Sequence, residues 1–243
     1  MFLQKDELSK YEFISWKEFF LTLFLLVLSV LFCFLGIPTI FKIIFPTHIL
    51  FFDSHIFMTF AYVIFLLVNF YIIYFICGKR KNKTLQQAFF LYPKPPKTIL
   101  ISIFIGIMIP VLTSPLLMKM APAKFYAANI VKEPGGLIFI LIAGLSAPLL
   151  EEVFYRGFIF PFFQSKLNSF WAVIITSLFF GISHYSNVGN AQILVSLFIF
   201  YGFVITLVRY FTNSLIPSIV THFTHNLTLI SGFLILSKFK LFQ

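Results

Sequence analysis

Acidic residues are almost missing from this chain: Asp and Glu together number eight among 243 residues, and charged residues of either sign make up 11%. Soluble domains carry about a quarter. So thin a polar complement could not cover the apolar side chains, which reach 60% of the sequence and include 37 Phe. Cysteine is equally scarce. Cys33 and Cys77 both fall inside apolar runs, which argues against a disulfide framework and against a Cys-rich metal knuckle. No Asp follows Asp53, so the later half cannot form a pair of aspartates, and it contains no His-Glu-x-x-His helix. Internal repeats, low-complexity tails and a separate polar domain are absent as well.

What is present is a series of long apolar segments. A helix rises about 1.5 Å per residue and the hydrocarbon core is about 30 Å thick, so about 20 apolar residues suffice to cross it. Residues 19–37, 56–77 and 98–118 read as three such spans, preceded by an amphipathic lead over residues 1–18. After a polar connector ending in Pro134-Gly135-Gly136, residues 137–163, 170–184, 191–208 and 215–237 supply further apolar helices. The expectation is an all-α, polytopic transmembrane bundle of about seven spans, eight at most. It forms one integral membrane domain over residues 1–243, with N-terminal spans over 1–133 and a functional core over 134–237. Pro38, Pro110, Pro115, Pro148, Pro161 and Pro217 predict kinks or helix starts. The first apolar run starts late and lacks a small-residue cleavage site, the pattern of a retained segment.

The net charge of +10 does not form a groove-lining stripe, so no nucleic-acid partner is expected. Lys79, Arg80, Lys81, Lys83, Lys94 and Lys97 gather between two spans, whereas residues 46–55 carry no Lys or Arg. By the positive-inside rule the former side is cytoplasmic, as is the N-terminus. Lys119, Lys124 and Lys132 then lie outside, against the rule.

Six of the acids, Asp6, Glu7, Glu12, Glu18, Asp53 and Glu133, fall in the lead or in connectors. Only Glu151 and Glu152 lie deep in an apolar helix, on the order of 20 Å beyond the glycine pair. An ionised carboxylate there costs at least about 2.5 kcal/mol on insertion scales and persists when paired, wet or functional. Glu152 and Arg156 are neighbours at i,i+4 and can neutralise one another. Glu151, turned by about 100°, needs a different partner. A buried salt bridge joining two helices is the plain structural alternative.

Three histidines share this half. His184 closes one helix, and His222 and Asn226 are at i,i+4 on the last, so they share a face. His225 points elsewhere and reads as a packing residue. Glu151, His184, His222 and Asn226 make an inward-facing set that can activate water and stabilise an oxyanion. Gly144, Gly157, Gly181 and Ser146 would let the helices approach closely.

In order, Glu-Glu-x-x-x-Arg (Glu151, Glu152, Arg156), Phe-x-x-x-His (Phe180, His184) and His-x-x-x-Asn (His222, Asn226) resemble the motifs of the CPBP intramembrane proteases. This family is also called Abi or type II CAAX-prenyl endopeptidases. The resemblance covers about residues 135–237. It implies hydrolysis of a peptide bond in a membrane-associated peptide or protein. Glu151 and His184 would activate the water, His222 and Asn226 form the oxyanion site, and Glu152 and Arg156 support them. The family is often described as metal-dependent. A zinc ion would take Glu151, His184 and His222 as ligands, yet the same set reads as a metal-free glutamate protease, and no tightly bound metal is assigned. The Phe- and Lys-rich composition suggests a bacterial plasma-membrane protein. Bacterial relatives are linked to bacteriocin maturation or self-immunity, peptide-signal processing and surface-protein sorting. A transporter, a non-catalytic bacteriocin-immunity protein and a rhomboid-like Ser146–His184 pair are the competing readings.

Overall fold

The structure is a computed structural model and describes residues 14–48, 51, 54–120, 130, 133–185 and 192–238. Most of the amphipathic lead, and Lys124 and Lys132 of the connector, lie outside the described residues. Eight helices are present among those described: α1 Trp16–Ile44, α2 His55–Cys77, the short α3 Leu85–Ala88, α4 Pro96–Met120, α5 Gly136–Lys166, α6 Ser169–Ser183, α7 Gln192–Thr212 and α8 Leu215–Lys238. No strand occurs among the described residues. Each apolar run read from the sequence is a helix, with ends displaced by a few residues.

The helix starts follow local chemistry. Ser15 and Glu18 form a reciprocal capping box at α1, and Thr84 with Gln87 does the same at α3. Ser54 and Asn168 cap α2 and α6 through their side chains. These groups satisfy N–H donors that the first helical turn leaves without partners. Two prolines act differently from a simple kink. Pro38 and Pro161 each follow a π turn by two residues, Phe32–Gly36 in α1 and Tyr155–Ile159 in α5. A proline lacks an N–H and crowds the carbonyl four residues back. The wider turn moves that carbonyl aside while the helix continues. Pro110, Pro115 and Pro148 lie inside α4 and α5 without ending them.

Among the described residues, five helices are long and apolar enough to cross a membrane: α1, α2, α4, α5 and α7. This is fewer than the seven expected. Helix α6 is apolar but has 15 residues, about 22 Å of rise. Helix α8 carries His222, His225 and Asn226 in its middle and is not one of the five. Large apolar side chains such as Phe20, Phe24, Leu35, Leu67, Phe104, Leu112 and Phe211 point outward, over more surface than a soluble monomer exposes. The architecture is a helical membrane bundle.

Its interior is knitted by aromatic rings. Phe19 of α1 stacks on Phe162 of α5 at 4.0 Å between centroids and on Phe158 at 5.3 Å, and Phe89 is fully buried beside them. The second half is held by close backbone approach. A Cβ at Gly181 in α6 would sit 2.2 Å from Ile199 Cγ1 and 2.7 Å from its backbone nitrogen in α7, and one at Gly106 in α4 would sit 2.5 Å from the Thr221 carbonyl oxygen in α8. Gly157, also expected at a close crossing, has ordinary contact distances of 3.6 Å and more. We predict that Gly181→Ala lowers stability by about 1–3 kcal/mol, the usual cost of overpacking. Gly232→Ala in α8, where nothing lies within 4 Å, should instead be neutral or raise stability by up to about 1 kcal/mol. Thermal unfolding of both proteins in detergent checks the contrast.

Candidate active site

Helix α5 presents Glu151 and Glu152 in the turn just before its π turn, where the Tyr155 N–H is shared between both glutamate carbonyls. The two side chains diverge as their rotation requires, yet both reach the same imidazole. Glu152 is fully buried. Its Oε1 lies 2.8 Å from Arg156 Nη1 and 2.8 Å from His222 Nδ1. Glu151 is 29% exposed at the side chain, and its Oε2 lies 3.8 Å from His222 Nε2 and 3.9 Å from His184 Nε2. The sequence paired Glu152 with Arg156 alone; the bond to His222 is an addition that only packing reveals.

Arg156 is also fully buried, and α7 receives it. Its Nη2 donates to the Gly202 carbonyl at 2.9 Å and its Nε to Thr206 Oγ1 at 3.2 Å, while the guanidinium sits 4.5 Å above the Phe180 ring. No residue of α7 stood out in the sequence. The signal available was a Tyr, a Gly and a Thr interrupting a run of apolar residues.

His184 caps α6. Its Nδ1 lies 2.7 Å from the Phe180 carbonyl, which can only accept, so this nitrogen carries the proton and Nε2 faces Glu151. The Phe-x-x-x-His spacing matters for this reason: the ring satisfies a carbonyl that the helix end leaves unpaired. Phe198 stacks on the other face at 4.4 Å. On α8, Asn226 Nδ2 donates to the Gly144 carbonyl of α5 at 2.9 Å, and its Oδ1 is 3.3 Å from His225 Nδ1. His225 does not point away from the others. It lines the same cavity and stacks on Tyr201 at 3.8 Å.

The cavity has a volume of about 240 Å³, with Glu151, His184, His222, His225, Asn226 and Tyr201 in its wall and Ile140, Phe180, Phe198, Leu229 and Ile230 as its apolar lining. The four residues expected to converge do so. Ser146 does not join them: its hydroxyl donates to the Ile142 carbonyl one turn back. A zinc ion with ligands at about 2.0–2.2 Å would draw them to about 3.4 Å from one another. Here the separations are wider, and no cluster of three His, Cys, Asp or Glu suited to a metal occurs among the described residues.

Removing one partner of a buried ion pair strands the other charge, at a cost of about 3–5 kcal/mol. Arg156→Met should therefore destabilise the folded chain by that amount, measured as loss of thermal stability in detergent. Glu151→Gln, at a partly exposed position, should change it by less than about 1 kcal/mol.

Residues 133–228 match the family described as Type II CAAX prenyl endopeptidase Rce1-like. No curated protein and no solved structure matches the chain. The matched segment holds Glu151, Glu152, Arg156, His184, His222 and Asn226 and every residue of the cavity wall up to Asn226, so the likeness to the Rce1-like type II CAAX prenyl endopeptidases falls on the site itself.

Proposed function

We propose that the chain is an intramembrane endopeptidase, hydrolysing a peptide bond of a membrane-associated peptide or protein with water activated by Glu151 and His184. One observation carries this reading. Glu151 Oε2 faces His184 Nε2 and His222 Nε2 at 3.9 and 3.8 Å, too far for direct hydrogen bonds and suited to a bridging water.

The protons can be followed. His184 offers a lone pair at Nε2, and Glu151 offers a carboxylate, so either can take a proton as the water oxygen attacks the carbonyl carbon. The carbonyl oxygen becomes an oxyanion. The Asn226 amide has a second N–H beyond the one given to Gly144, and His222 can donate from Nε2 when doubly protonated, with Glu152 accepting from its Nδ1. As the tetrahedral carbon collapses, the departing amine takes the proton held by Glu151 or His184 and the C–N bond breaks. The apolar lining of the cavity suits a substrate with a large apolar side chain beside the cut bond.

A prenylated CAAX peptide is one substrate class, because it appears in the description of the matched family. Bacterial peptides in bacteriocin maturation, signalling or surface sorting are the others. The basic turn Lys79–Lys81 then faces the cytoplasm, and the cell membrane is the site of action.

Membranes from cells with the wild-type chain, and from cells with Glu151→Gln, should differ by one or more peptides that only the wild type releases, with both proteins present in equal amounts. The rate of release should fall about 10²–10⁴-fold in the variant, the range of general acid–base catalysis. Equal release by the two proteins would remove Glu151 from the reaction.

A further inference from the structure

One polar group in the cavity wall takes no part in the reaction above. Tyr201 of α7 is 3% exposed, and its hydroxyl has no hydrogen-bond partner among the described residues. A buried phenol normally finds one, because an unmade hydrogen bond in an apolar surrounding is a net loss. Of the polar atoms belonging to cavity-lining residues, two are buried without a hydrogen-bond partner among the described residues: Glu151 Oε2 and the Tyr201 hydroxyl. They are chemically complementary. The carboxylate oxygen can only accept, and it faces the position where water must give up a proton. The phenol can donate.

The Tyr201 ring is held from several sides. It stacks on His225 at 3.8 Å with 20° between planes, and it meets His222 at 5.5 Å and Phe180 at 6.0 Å, both edge to face. The hydroxyl lies on the ring axis, so rings packed in this way fix its position. His225 braces Asn226 as well, through the 3.3 Å contact to its Oδ1. Tyr201 and Asn226 are therefore held by one imidazole. Asn226 already gives one of its two N–H groups to Gly144, leaving a single amide donor for an oxyanion.

We infer that Tyr201 is a further catalytic residue, its phenol donating a hydrogen bond to the oxyanion beside His222 and Asn226, with His225 as the positioning residue for both donors. This rests on the endopeptidase reading. It predicts a change confined to the transition state, since the carbonyl oxygen gains its charge only there.

The test uses the full chain in liposomes, with the membrane peptide whose release depends on the wild type as probe. Tyr201→Phe keeps the ring and its stacking and removes only the hydroxyl. It should lower kcat about 10²–10³-fold, the usual effect of deleting one oxyanion donor, with KM within about twofold. Its Tm should be unchanged or higher, because an unpartnered buried polar atom is gone. A merely structural tyrosine would give the reverse: a lower Tm and a near-normal kcat. Wild-type kcat in Tyr201→Phe beside an inactive Glu151→Gln would overturn the role of Tyr201 and leave the peptidase reading standing. Full activity in Glu151→Gln would overturn both.

Discussion

The buried contact of Arg156 with Glu152, and of Glu152 with His222, is the constraint on which the rest of the second half depends. Between lipid-facing helices the hydrophobic effect does not choose which face turns inward, since tails are as apolar as Leu. Polar groups make that choice. Arg156 draws the Gly202 and Thr206 face of α7 toward α5, and Glu152 draws the His222 face of α8. Three helices are thereby fixed in rotation by one guanidinium and one carboxylate. A buried ion pair is seldom a large source of net stability, so its value here lies in orientation.

That orientation has a chemical result. His222 is held at Nδ1 and presents Nε2 to Glu151, while the Phe180 carbonyl holds His184 at Nδ1 and leaves its Nε2 facing the same oxygen. Two imidazoles on different helices are thus brought to one carboxylate with defined ring orientation. Helix α6 makes room for this by ending early. Its 15 residues fall short of the hydrocarbon thickness, and an unpaired backbone end is tolerable there because His184 caps it and a cavity lies beside it. Gly181 sets the depth of the crossing, letting the Ile199 backbone of α7 approach where any side chain would intervene.

The two π turns show how proline was accommodated. Pro38 and Pro161 were expected to kink or begin helices, and each instead follows a widened turn within a continuous one. In α5 the widening begins three residues after Glu152 and contains Arg156, so the guanidinium that helps orient three helices sits in the wider turn. Such turns occur often at functional sites.

Apolar runs, their lengths and the three spaced motifs were legible from sequence, because helix formation and i,i+4 spacing depend on neighbours along the chain. Glu151, His184, His222 and Asn226 could be named in this way, and the all-helical bundle with them. Tyr201, Gly202 and Thr206 could not, since nothing along α7 by itself says which of its sides meets α5. The same limit misjudged the direction of His225, which packs on Tyr201 and lines the cavity, and it assigned Gly157 a close crossing that it does not make while leaving Gly106, which makes one, unnamed. Local spacing determined which residues could act together on one helix. Contacts between helices far apart in sequence decided which nitrogen faced which oxygen, because direction between separate helices arises only when they pack.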